Sequence, residues 1–291
     1  MTTGGNGNSQ FINDWRDNRL DLTTKVGVVT GAARGIGRAT AMELARQGIR
    51  AVAVVDQLEE VVGFADEANE HLGRKALVPF QGDVTHEDFR RHVFEELQSM
   101  YGAVSICVPA AGFTADRLAI RIDRETGEPD IYPEEMFTRV LQVNLTGAIY
   151  WALQTLASVA RDRFARGVKR WDPSERVQGC IVFIGSVSSA GNRGQISYAT
   201  TKAGLEGAQG TLASEAIFHG VRCAIIHPGF TDTAMVRAMG EKFISEQILP
   251  QTQLRRLIMP EEIADAICFL IRNASVSGQL WADAGWHPSV S

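Results

Sequence analysis

A chain of 291 residues, 45% hydrophobic and 22% charged, has the make-up of a soluble globular protein, and its length allows one large α/β domain or two small ones. A net charge of −5 without a long basic run argues against nucleic acid or an anionic membrane surface as partner. No stretch approaches the roughly 18 consecutive apolar residues of a membrane span.

The four cysteines, Cys107, Cys180, Cys223 and Cys268, stand far apart among apolar neighbours, and the six histidines are scattered. Neither gives the spacing of a metal site, and buried, reduced thiols are expected.

The chain opens on a polar, Gly- and Asn-rich stretch to Asn18 that lacks the apolar core of a signal peptide. Residues 1–23 are expected to be a flexible arm of a cytoplasmic protein. Residues 25–30 form an apolar, β-branched run suited to a buried parallel strand, and they lead directly into a Gly-rich turn at 31–37. Helix 38–47 is stopped by Gly48, and strand 50–55 ends at Asp56.

The unit then repeats. Helix 59–72 is followed by strand 75–80, helix 86–100 and strand 104–108, which closes at Pro109-Ala110-Ala111-Gly112. A charged stretch, 113–133, precedes a long helix from 134 to about 166. After a basic insertion at 165–178 come strand 179–184, helix 198–219, strand 221–226, helix 260–271 and a short strand near 279–282. Strands alternating with helices of this length imply right-handed crossovers and a parallel sheet covered on both faces. The expected fold is a single Rossmann-type α/β domain over 24–287, a doubly wound parallel sheet of about seven strands.

Gly31, Gly35 and Gly37 lie between a strand and a helix, where a backbone free of side chains lets a pyrophosphate approach the helix N-terminus. Arg34 and Ile36 share that turn. Asp56, 19 residues beyond Gly37 at the end of the next strand, stands where a carboxylate grips ribose hydroxyls. Further along, Tyr198 and Lys202 are one helical turn apart on one face, so a positive charge beside the phenol is expected to lower its pKa from about 10. Such a pair is an acid/base for a carbonyl/alcohol couple. Tyr-x-x-x-Lys alone is weak, but a hydroxyl upstream and a nucleotide turn near the N-terminus accompany it here.

Thr30-Gly31-x-x-x-Gly35-x-Gly37, with Ser186 twelve residues before Tyr198 and Lys202 after it, resembles the short-chain dehydrogenase/reductase family from about 24 to 287. Within that resemblance, Asp83-Val84 matches the adenine-contacting pair. Pro228-Gly229-x-Thr231-x-Thr233 matches the segment that holds the nicotinamide carboxamide. Ala111 and Gly112 match the end of the loop after the fourth strand, where the family's two Asn are here Pro109 and Ala110. The resemblance makes Tyr198 the acid/base, Lys202 its pKa-lowering partner and ribose ligand, and Ser186 the group bonded to the substrate oxygen. Asn144 would hold a water that links Lys202 to solvent. Ser188 and Ser189 remain rivals to Ser186.

An NAD(H) cofactor is favoured because Asp56 would repel a 2′-phosphate, with NADP(H) left open by Arg34. The family likeness also implies a homotetramer acting on a small-molecule ketone or secondary alcohol, and within the family the chain resembles both 3-oxoacyl-carrier-protein reductases and secondary-alcohol dehydrogenases without choosing between them. Met235, Met239, Phe243, Ile244, Ile248 and Leu249 give residues 230–259 the look of an apolar lid, and ordinary helix packing accounts for them equally well. A non-catalytic dinucleotide sensor or scaffold on the same fold is the alternative.

Overall fold

The computed structural model describes residues 19–286. Five apolar runs form fully buried strands: β1 (Val26–Thr30), β2 (Ala51–Asp56), β4 (Val104–Pro109), β7 (Gly179–Ile184) and β8 (Val221–Pro228). With β3 (Leu77–Gln81) and β9 (Gly278–Ala282) they make a seven-stranded sheet in the order β3-β2-β1-β4-β7-β8-β9. Every pairing in it is parallel.

Neighbouring residues along each strand point to opposite faces, so one apolar run feeds two cores. On one side, Val52, Val54 and Val182 meet Leu44 of α1 (Gly35–Arg46), Phe64 of α2 (Glu60–Leu72) and Ile267 of α7 (Pro260–Arg272). On the other, Ala53, Val55 and Phe183 meet Phe94 of α3 (Glu87–Tyr101), Trp151 of α5 (Ala148–Ala165) and Leu205 of α6 (Ile196–Glu215). Trp151 is fully buried, and its indole donates to the Val84 carbonyl at 2.9 Å, which ties α5 to the end of β3. The single parallel α/β sheet read from the alternation is the fold.

Three details differ from expectation. The expected arm ends earlier, because Leu20 and Leu22 are buried and the Leu20 amide donates to the Arg272 carbonyl at 3.1 Å. Residues 1–18 of that arm, and residue 287 at the domain's expected end, lie outside the described residues.

The long helix is interrupted. Between α4 (Glu134–Leu141) and α5 the chain widens into a π-type turn, Gln142–Gly147, which carries Asn144. The charged stretch before α4 holds an antiparallel hairpin, β5 (Ile120–Ile122) with β6 (Pro129–Ile131). Three-residue strands exposed at every position leave no buried face for periodicity to report.

The 165–178 insertion is fastened by fully buried Arg163, whose guanidinium donates to both Glu175 oxygens at 2.8 and 3.0 Å. Its far end is tied to the N-terminal ends of β1 and β8, since the Gln178 carbonyl accepts from Lys25 and its amide donates to Gly220. Among the described residues no helix is long and apolar enough to cross a membrane, and no cluster of three or more His, Cys, Asp or Glu is placed to hold a metal.

Candidate active site

The sheet order reverses between β1 and β4, and a crevice opens outside the carboxyl ends of strands at such a point. It is widened because β4 and β7 pair only at Ile106↔Cys180 and Cys107↔Ile181 and then part. The resulting cavity, of about 640 Å³, is lined by the Gly-rich turn, Asp56, Asp83, Val84, Ala111, Gly112, Ser186, Tyr198, Lys202, Pro228, Gly229, Thr231 and Thr233. All the proposed cofactor positions therefore meet in one place, including Arg34 and Ile36.

On the nucleotide side the fit is made by backbone. Gly31 has φ +66°, and a Cβ there would stand 2.7 Å from the Ala111 backbone. A Cβ on Gly37 would stand 2.2 Å from the Gly31 carbonyl oxygen. Asp56 is buried, and its two oxygens accept from the Ala33 amide at 3.0 Å and the Leu58 amide at 3.1 Å, which fixes the carboxylate at the strand end. Asp83 accepts from the Thr85 amide and hydroxyl and from Arg139. Partial burial pushes its carboxyl up, but these donors outweigh burial and hold it below the usual range. Arg34 is exposed, with no ion pair among the described residues.

The loop after β4 manages without the family's two Asn. Thr30 Oγ1 accepts from the Ala111 amide at 3.1 Å. Asn144 brackets Phe113, its Oδ1 accepting from the Phe113 amide at 3.1 Å and its Nδ2 donating to the Phe113 carbonyl at 2.8 Å. Asn144 lines no part of the cavity. Its side-chain amide is committed to this bracket.

On the chemical side, Lys202 of α6 donates from Nζ to the Ile184 carbonyl at 2.7 Å. The same Nζ lies 5.3 Å from the centre of the Tyr198 ring. Burial pulls the Lys202 ammonium down to about 8. It pushes the Tyr198 phenol up to about 12, with Ser186 working against the rise and Asp116 adding to it. The expected lowering of Tyr198 is thus reversed: in the protein alone desolvation outweighs the Ser186 hydrogen bond. Ser186 closes β7, and its Oγ accepts from the Ser188 amide at 3.0 Å. Ser188 also lines the cavity, whereas Ser189 does not.

A family model described as enoyl-(acyl carrier protein) reductase matches residues 31–287. The 3-oxoacyl-[acyl-carrier-protein] reductase FabG of Aquifex aeolicus is 32% identical over 86% of this chain and 91% of its own. That of Thermotoga maritima is 32% identical over 90% and 96%. The (3R)-3-hydroxyacyl-CoA dehydrogenase of Mus musculus is 32% identical over 87% and 91%. The chain belongs to the short-chain dehydrogenase/reductase family.

As a member of that family it is an oxidoreductase of CH–OH and C=O groups that works with a nicotinamide dinucleotide. Its cleft fits such a group: two glycines stand where any Cβ would strike backbone, and a fixed carboxylate faces the cavity at the end of β2.

Several residues that shape this dehydrogenase site were not legible in the sequence. Gln195 lies before Tyr198, lines the cavity, accepts from Asn192 at 3.0 Å and donates to Asp116 at 2.9 Å. Behind Ser186, fully buried His227 approaches the Ser186 carbonyl through Nδ1 at 3.2 Å and stacks on Trp281 at 4.2 Å. No spacing rule connects positions 116 and 195 or 186 and 227. Their partners become visible only once the sheet brings the loops together.

The lid expectation needs correction. Phe230, Met235, Val236 and Met239 face the cavity, but Ile244, Ile248 and Leu249 do not. Ile244, Ile248 and Leu249 pack with Leu257 against Phe230, Val236 and Met239, behind the residues that line the cavity, and Phe243 is exposed.

Proposed function

We propose that this chain interconverts a ketone and a secondary alcohol with NAD(H), and that 3-oxoacyl thioesters are the substrate class to test first. The observation that carries this is the meeting of Ser186, Tyr198 and Lys202 around one cavity with a Gly-rich turn at its other end. The thioester class is suggested by the names of the relatives at about a third identity.

Bound nicotinamide supplies or accepts the hydride. The protein's part is to hold the substrate oxygen and manage its proton. With its pKa near 12, Tyr198 is a phenol at neutral pH and can donate its proton to an oxygen that becomes an alkoxide. Ser186, bonded through Oγ to the Ser188 amide, keeps its own proton to donate to the same oxygen. Lys202, near 8, exchanges a proton close to neutrality and, as an ammonium, stabilises the phenolate that Tyr198 leaves behind. Phe113, Phe230, Met235 and Met239 give the substrate end an apolar wall.

For the cofactor, Asp56 supports NAD(H): a 2′-phosphate would meet a carboxylate locked by two amides, whereas Arg34, which lines the same cavity, is exposed and held by no ion pair among the described residues. We also propose a homotetramer. Ile149 and Leu156 of α5 pack on the chain's own core, while Tyr150 and Leu153 of the same helix stay exposed. Light scattering at micromolar concentration checks this, and a stable monomer rejects it.

The deciding experiment is a panel of ketones and alcohols, acetoacetyl thioesters included, followed by nicotinamide absorbance with each cofactor. Tyr198→Phe is expected to cut turnover at least about a hundredfold while cofactor affinity holds. Near-normal turnover by that variant would overturn the assignment. No turnover on any substrate by the wild type would leave dinucleotide sensing in its place.

A further inference from the structure

The helix that carries Tyr198 starts without a cap of its own: Gln195, the residue before α6, makes no side-chain hydrogen bond to the first turn. The first turn is held instead from the 113–133 stretch. The Tyr132 hydroxyl lies 2.8 Å from the Ala115 carbonyl and 2.8 Å from Ser197 Oγ. A carbonyl can only accept, so the phenol donates to Ala115 and Ser197 donates to the phenol oxygen. Both side chains are buried, Ser197 at 1% exposure and Tyr132 at 9%.

Two more bonds flank this one. The Arg117 amide donates to the Gly194 carbonyl at 2.8 Å, and Gln195 donates to Asp116 at 2.9 Å. Ser197 is the residue immediately before Tyr198.

We propose that Tyr132 is a positioning residue for Tyr198: through Ser197 it clamps the first turn of α6 to the loop after β4 and so fixes where the phenol of Tyr198 points. The 113–133 stretch then works as the brace of the catalytic turn. This rests on the assignment of Tyr198 as acid/base. A group that must hand over a proton is sensitive to displacements of well under an ångström-scale contact length, so a clamp one residue away acts on turnover rather than on cofactor affinity.

Tyr132→Phe removes one oxygen and keeps the ring, leaving the Ala115 carbonyl and the Ser197 hydroxyl unpaired. The loss of a buried neutral hydrogen bond corresponds to about a fivefold change. In the cofactor-free protein, backbone amides of residues 196–202 are expected to exchange with deuterium about fivefold faster, with α3 and α5 unchanged. On the best ketone of the panel, kcat is expected to fall about fivefold or more while KM for the nicotinamide cofactor stays within about twofold.

Ser197→Ala, which removes only the bond the two side chains share, should move both readouts in the same direction, and the double variant should be no worse than Tyr132→Phe alone. Unchanged exchange over 196–202 in both single variants overturns the clamp. A lowered thermal midpoint with wild-type kcat overturns the positioning role and leaves Tyr132 purely structural. An active Tyr198→Phe enzyme defeats the acid/base assignment itself, whereas an inactive Tyr198→Phe beside a fully active Tyr132→Phe defeats this inference alone.

Discussion

The two ends of the cleft are built by different means. At the nucleotide end, glycines let backbone touch backbone, as at Gly31 against Ala111 and Gly37 against Gly31, and the Asp56 carboxylate is held by two amides. At the substrate end the holding contacts run through side chains whose positions are far apart in the chain: Asn144 to Phe113, Gln195 to Asp116 and Tyr132 to Ser197. Backbone packing tolerates no substitution, while a side-chain bracket can be exchanged for another. The loop after β4 illustrates the second case, since Thr30 and Asn144 brace it where the family's two Asn are absent.

The sharpest way to break the contrast is Gly37→Ala. Its Cβ would have to sit 2.2 Å from a carbonyl oxygen, so the turn must move. NADH titrated by fluorescence is expected to bind at least about a hundredfold more weakly, close to 3 kcal/mol. Affinity within a few-fold of wild type would show that the turn is softer than its packing implies. Asn144→Ala tests the other end: it strips Phe113 of partners for both its amide and its carbonyl, with an expected loss of about 1–2 kcal/mol in urea unfolding. Asn144→Asp, which accepts but cannot donate, should fall between the two. If Asn144→Ala costs nothing, Thr30 alone braces the loop.

The same division explains what could be read from the chain. The sheet, the Gly-rich turn and the strand-end residues are encoded by neighbours, in apolar runs such as 51–56 and in fixed spacings such as 198 to 202. The hairpin at 120–131 escaped because its strands are short and exposed. The roles of Tyr132, Asp116 and His227 depend on which loops the sheet juxtaposes. The sign of the Tyr198 shift was misjudged for a related reason: charge spacing can be counted along a helix, whereas burial is a property of the whole cleft.

A smaller effect is expected at Asp56. Replacing it with Ala removes the carboxylate that faces a 2′-phosphate and frees the Ala33 and Leu58 amides. The ratio of kcat/KM for NADH over NADPH should fall about tenfold, near 1.4 kcal/mol. An unchanged ratio would place the discrimination elsewhere, with Arg34 the first residue to examine.

The smallest and most gradual effect belongs to Lys202, which burial brings from an ordinary 10.5 down to about 8. Below about 8 the folded and unfolded chains both carry the ammonium, and the folded one bears the full cost of burying it. Between about 8 and 10.5 the folded chain has released that proton while the unfolded chain keeps it, so stability from this group rises with pH, by at most about 1.4 kcal/mol per unit. Lys202→Met lacks the titration, and other groups cancel when the two proteins are compared. Its stability relative to wild type should therefore decline steadily as pH is raised from 8 to 10 in cofactor-free urea unfolding. The comparison stops at 10 because above about 10.5 the unfolded chain releases the same proton and the difference between the two proteins levels off. Parallel stability curves for the two proteins up to that point would mean that the ammonium of Lys202 is better solvated than its seat beneath Ile184 implies.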